Sequence, residues 1–125
     1  MSTLQVETIK NPTSSNTVNS EQLIKGSATA WINFDGLGVI AIRDSYNVSS
    51  LIDAGTGRYT ITFSDTMENS TYIGVVSAGG LTDAFNFNPP AVTTRTTTSC
   101  QVDLEIAGGV NTDAGNIDVI IMGGL

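Results

Sequence analysis

The sequence predicts an all-β fold: short antiparallel strands forming a β-sandwich, preceded by an extended N-terminal arm. Three observations predict it. Apolar residues recur at every second position in short runs, the period that sends successive side chains to opposite faces of a strand. Gly, Asn and Asp corners separate these runs at about ten-residue spacing, as in sandwiches. No stretch of a dozen residues follows the helical period.

Residues 1–26 read as an arm and linker, and residues 27–125 as the sandwich domain. Leu4-Gln5-Val6-Glu7-Thr8-Ile9 alternates apolar and polar residues, a single strand pattern. Asn11 to Asn16 is a turn-rich polar linker, and Ser20 to Lys25 has room for one helical turn at most. A lone strand with no partner in its own linker is not stable in water. Leu4, Val6 and Ile9 are therefore the candidate residues of an assembly arm that pairs with another chain, a frayed terminus being the plainer alternative.

From Ser27 the strands follow one another. Ala28, Ala30, Ile32 and Phe34 share one face of the first, with Trp31 on the other. Asp35-Gly36-Leu37-Gly38 is a hairpin signal. Val39 to Tyr46 and Val48 to Asp53 are the next strands, and Gly55-Thr56-Gly57 supplies a corner. Arg58 to Phe63 returns with Tyr59, Ile61 and Phe63 on one side, so the series reads as a meander of hairpins. Thr71 to Ala78, Ala91 to Arg95, Thr97 to Ile106 and Ile117 to Met122 complete the set. Between them lies a longer loop, Gly79 to Pro90, carrying Phe85, Phe87, Pro89 and Pro90.

The chain of 125 residues is one domain's worth of sequence, large enough for a core without staples. No apolar run approaches the roughly 20 residues of a membrane helix, so no membrane insertion is expected. The first ten residues lack the pattern of a signal peptide. Twelve acids face five bases, a net charge of −7, and Lys10, Lys25, Arg43, Arg58 and Arg95 are scattered. That leaves no basic face on which to neutralise phosphates, so nucleic acid is not an expected partner. The single cysteine, Cys100, stands in an alternating run and is expected to be a small buried apolar residue.

Ala30-Trp31-Ile32-Asn33-Phe34-Asp35-Gly36, then Val39 to Ser50, then Asp53 to Phe63, then Thr66-Met67 and Tyr72 together resemble, in that order, a domain found at the C-terminal ends of phage tail-fibre proteins. Leu4 to Asn11 is similar to an opening seen in phage fibre proteins. The likeness runs from about Ala28 to Val76 and then fades to a general strand pattern. The resemblance implies a homotrimer, a place in the virion and no enzymatic activity. The fold expected is an antiparallel, jelly-roll-like sandwich with an extended arm. A fibre-end domain starting this early, with no long shaft, leaves three stations open: fibre tip, tail adaptor or capsid decoration.

The residues agree with a non-enzyme. With no histidine there is neither a Ser-His-Asp nor a Cys-His arrangement. Asp103 and Glu105 are a carboxylate pair only in sequence, since alternation with Val102, Leu104 and Ile106 puts both on a solvent face. Zinc lacks ligands, and no Asp-x-Asp-x-Asp-Gly loop offers calcium a site. No catalytic residue, metal or cofactor is expected. Trp31 is assigned to packing or a subunit seam ahead of sugar stacking, and Phe85, Phe87, Pro89 and Pro90 to a candidate contact loop. The function expected is a structural component of a bacteriophage virion, made in the bacterial host cytoplasm and carried on the tail or capsid surface. Its partners would be its own copies, other virion proteins and a host cell-surface glycan or protein. A capsid decoration, cement or head-fibre protein is the alternative, and a secreted carbohydrate-binding module ranks third.

Overall fold

The computed structural model describes residues 2–10, 12–13, 17–79 and 90–125. Its elements in chain order are β1 (Thr8–Lys10), β2 (Thr17–Asn19), α1 (Ser20–Gly26), β3 (Ala28–Asp35), β4 (Ala41–Tyr46), β5 (Val48–Gly55), β6 (Arg58–Phe63), β7 (Ile73–Gly79), β8 (Ala91–Thr93), β9 (Ser99–Asp103), β10 (Glu105–Ile106), β11 (Val110–Asn111) and β12 (Asn116–Met122). The fold is all-β and antiparallel, with one short helix. Two four-stranded sheets run in the orders β4-β3-β12-β7 and β5-β6-β9-β8, and two small hairpins, β1-β2 and β10-β11, stand beside them.

Period-two patterning explains which residues are buried. Ala30, Ile32 and Phe34 of β3 and Ile117, Val119 and Ile121 of β12 point inward from the first sheet. Tyr59, Ile61 and Phe63 of β6 and Cys100 and Val102 of β9 do so from the second. All belong to one hydrophobic cluster. Phe34 and Tyr59 meet edge to face with ring centroids 5.1 Å apart, and Phe63 and Tyr72 do the same at 5.7 Å. Each large side chain so buried is worth about 1.5–3 kcal/mol. In contrast, no described residue from 2 to 27 is buried.

The expected meander of hairpins through β3, β4, β5 and β6 does not form as one sheet. β3-β4 and β5-β6 are hairpins, but they lie in different sheets, and Asn47 marks the crossing. Its φ of 54° is unusual for a residue with a side chain. Hydrogen bonds to both sheets' neighbouring backbone hold that turn. The Asp65 N–H donates to Asn47 Oδ1 at 2.7 Å, Asn47 Nδ2 donates to the Thr29 carbonyl at 3.0 Å, and the Ser64 N–H donates to the Asn47 carbonyl at 3.2 Å. An Asx side chain that binds backbone on both sides of the crossing offsets the strain of the left-handed conformation.

Three further expectations are corrected. Thr97 to Ile106 is not one strand: β9 stops at Asp103, Leu104 turns fully into the core, and Glu105 starts a separate hairpin. Gly57 fixes that corner. Its N–H is bound by Asp113 Oδ1 at 2.7 Å, and its carbonyl accepts from the Leu104 N–H at 2.7 Å. Ser20–Gly26 is a helix of seven residues, longer than one turn, because Asn19 and Gln22 form a capping box. Finally, the strand of the arm does find a partner in its own chain. Thr8, Ile9 and Lys10 pair with Asn19, Val18 and Thr17.

Candidate functional site

The residues singled out in the sequence divide between the arm and the outer surface of the first sheet. In the arm, β1 takes up only Thr8–Lys10, so Ile9 lies in a hairpin opposite Val18 while Leu4 and Val6 precede it outside any strand. Leu4 is 87 % exposed, and Val6 and Ile9 are exposed as well. The arm thus shows three apolar side chains to solvent and buries none of them. Between the arm and the domain, a depression of ≈ 360 Å³ is bordered by Ile24, Asn47, Asp65, Met67 and Leu125.

Trp31 lies half-buried on the outer face of β3. Register places Tyr46 beside it on β4, Ile120 on its other side on β12, and Val75 beyond Ile120 on β7. Residues directly opposite each other on paired strands share a face. Tyr46, Trp31, Ile120 and Val75 therefore form an apolar row across all four strands. Tyr46, Ile120 and Val75 remain 56, 49 and 64 % exposed. Met122 and Ile73, opposite each other one step further along β12 and β7, extend the apolar area. A depression of ≈ 360 Å³ beside the indole is lined by Trp31, Asn33, Asp118 and Ile120.

Two residues the other way along the strands, the same face turns polar. Asn33 Nδ2 donates to Asp118 Oδ1 at 2.6 Å and to Asn116 Oδ1 at 3.0 Å, and Asn116 Nδ2 donates to Asp118 Oδ2 at 2.9 Å. Arg43 closes the ladder, reaching Asn116 Oδ1 at 3.1 Å, the Gly115 carbonyl at 2.6 Å and Asp35 Oδ2 at 3.2 Å. The donors and acceptors are spent on one another, which makes this end of the face a stiff polar border.

The second sheet presents a different surface. At the equivalent position its outer row runs Ile52, Thr60, Gln101, Thr93. Next to it Asp103 accepts from Thr93 Oγ1 at 2.9 Å and Gln101 Nε2 at 2.8 Å, with Arg58 Nε 3.3 Å away. Asp103 is thus held in a half-buried polar cluster, and Glu105, on the separate hairpin, pairs with Asn111. The two carboxylates do not share the solvent face of one strand, as their alternation suggested.

Cys100 is buried as expected, and burial pushes its thiol up to about 11, with Arg95 pulling weakly the other way. Burial likewise raises the Tyr72 phenol to about 12, and its hydroxyl lies 3.0 Å from the carbonyls of Thr96 and Ser99. Tyr59 is raised by burial and by its bond to Asp113 Oδ1 at 2.8 Å; the Gly36 carbonyl lies 2.9 Å from the same hydroxyl. These groups hold the core together in their neutral forms. Among the described residues no group of three or more His, Cys, Asp or Glu side chains is arranged to hold a metal. No helix among them is long and apolar enough to cross a membrane.

Of the expected contact loop, Pro90 is half-buried just ahead of β8, while Phe85, Phe87 and Pro89 lie outside the described residues. The partners of Trp31 were the residues missed. Their signal was an apolar residue at the outward position of several strands, Ile120 between Val119 and Ile121 and Val75 between Gly74 and Val76, where alternation calls for polar ones.

Comparison with known proteins gives no relative: no family model, no curated protein and no solved structure matches the chain.

Proposed function

We propose that this chain is a structural component of a bacteriophage virion, a trimeric tail-fibre-type module whose work is assembly and, through its outer loops, attachment to the host surface. The reading rests on the ordered resemblance from Ala28 to Val76. One observation gives it physical weight: residues of the resembling motif occupy positions on which this architecture depends. Asn47 makes the crossing between sheets, Gly57 fits a corner with a φ of 65°, Tyr59 ties the core to Gly36 and Asp113, and Trp31 stands on the outer face.

On this reading the two sheets close over their shared cluster as a sandwich, and rigidity is the property the particle uses. The protein performs no catalysis. The arm joins the module to its neighbours: Leu4, Val6 and Ile9 offer exposed apolar side chains, and the extended backbone offers ladder hydrogen bonds for strand addition.

Deleting residues 2–26 tests this reading. None of the arm's described residues is buried, so the truncated protein is expected to keep its β-sheet circular dichroism and its melting transition while failing to enter particles when it replaces the full chain in an infection. Normal incorporation of the truncated protein would refute the role of the arm. Locating the chain on the shell of purified particles, with the tail free of it, would move the assignment to capsid decoration.

A further inference from the structure

We infer that the outer face of the β4-β3-β12-β7 sheet, centred on Trp31 and Ile120, is the surface through which copies of this chain meet. The inference deepens the reading above and rests on it for the number of copies. The occupant follows from three properties of the face.

The first is the contrast between the two sheets. A sheet covered on one side and solvated on the other alternates apolar-in and polar-out. The second sheet obeys this on three of its four strands, at Thr60, Gln101 and Thr93, with Ile52 the lone apolar residue of that row. The first sheet breaks it along a row that crosses every strand, at the same height in the pairing register. An apolar row this regular in only one of two otherwise similar sheets marks that sheet as the one covered in the working assembly.

The second is size. Six large apolar side chains partly or mostly exposed in one patch offer on the order of 500 Å², near the top of what a solitary domain shows in one place (~300–600 Å²). It is also more than half of the roughly 800 Å² that each partner brings to a stable interface. The patch has the area of an interface centre, and the hydrogen-bonded ladder of Asn33, Asp118, Asn116 and Arg43 supplies a polar rim on one side.

The third is self-complementarity. The row passes from large aromatic residues at one end, Tyr46 and Trp31, to smaller aliphatic ones at the other, Ile120 and Val75, with a depression beside the indole. Around a three-fold axis the aromatic end of each copy meets the aliphatic end of the next, a head-to-tail pairing that a uniform patch does not specify. A basic or acidic partner would find little to pair with in this row, since none of its four members is charged.

The test uses the full chain and light scattering coupled to size exclusion. The wild type is expected to run as a multiple of its 13.0 kDa mass. Ile120→Asp and Val75→Asp, each made separately and each checked for a wild-type far-ultraviolet spectrum and cooperative melt, are expected to run as monomers. Val39→Asp, at a 92 % exposed apolar position in the loop between β3 and β4, is expected to keep the wild-type mass. A folded Val75→Asp that stays oligomeric overturns the inference while leaving a multimeric virion protein standing. A monomeric wild type overturns it together with the trimeric part of the reading, and loss of association in Val39→Asp overturns it by showing that any added charge suffices.

Discussion

At the scale of the residue, Cys100 shows how far alternation reaches and what it implies chemically. Its place in Thr98-Ser99-Cys100-Gln101-Val102 was enough to predict burial, and the thiol is indeed packed inside. Burial favours the neutral form, lifting the thiol from its ordinary 9.0 to about 11 and, similarly, the Tyr72 phenol from 10.0 to about 12. An acid whose folded value lies above its unfolded one binds its proton more tightly in the native state. Its contribution to stability is fully present below the unfolded value and is lost as pH rises through the folded one. The melting temperature is therefore expected to start falling above pH 9.0 and to keep falling through pH 12, because burial and the Asp113 bond raise Tyr59 as well. In Cys100→Ala the onset should move up toward pH 10.0, where Tyr72 begins to matter. Thermal melts across that range, wild type against variant, check it; an unmoved onset would mean that the thiol is not the first group to titrate. Asn47 marks the limit of legibility at this scale. Its type suits a left-handed turn, but neither Thr29 nor Asp65, the residues whose backbone it binds, is near it in sequence.

Among the elements, the long strands were legible and the short ones were not. β3 and β6 have clean alternation and bury the faces that alternation assigns. Thr97 to Ile106 has equally clean alternation yet breaks at Leu104, because Gly57 and Thr112 capture the backbone of that residue, and Gly57 is distant in sequence. The arm fails differently. Its pairing and its helix depend on local signals that were available, above all Asn19 followed by Gln22. There the Gln22 N–H donates to Asn19 Oδ1 at 2.7 Å and the Asn19 N–H to Gln22 Oε1 at 3.1 Å. The Lys25 ammonium, 2.6 Å from Glu21, holds that carboxyl below its ordinary value, but the pair is on the surface and adds little to stability. The helix thus depends mainly on its cap. Asn19→Ala is expected to cost α1 about 1 kcal/mol, roughly a fivefold rise in local opening. Hydrogen exchange would show it as faster amides over residues 22–26, with the amides of β3 and β12 unchanged. Faster exchange across the domain edge as well, or a lowered global melt, would mean that α1 is part of the core unit.

For the whole molecule, the division into two sheets with one shared cluster is the step that sequence alone could not take, because alternation tells which side of a strand is buried and not which strands are neighbours. The same division separates two surfaces with different physics. The whole chain carries −7, so every copy repels every other. The row of Tyr46, Trp31, Ile120 and Val75 has no charge with which to offset that repulsion, so any attraction across it is apolar. The two effects respond to salt in opposite senses from an ion-paired interface. Raising ionic strength from about 0.01 M to 0.15 M shortens the screening length from about 30 Å to about 8 Å. That suppresses repulsion between copies and leaves apolar contact intact. Association is therefore expected to tighten as sodium chloride is added, measured by sedimentation equilibrium at fixed protein concentration. Because kosmotropic anions also strengthen apolar burial, sodium sulfate at equal ionic strength is expected to tighten it further. Dissociation on adding salt would place ion pairs at the seam, and the only described ion pairs outside the arm, Arg43 with Asp35 and Arg58 with Asp103, lie within a single copy.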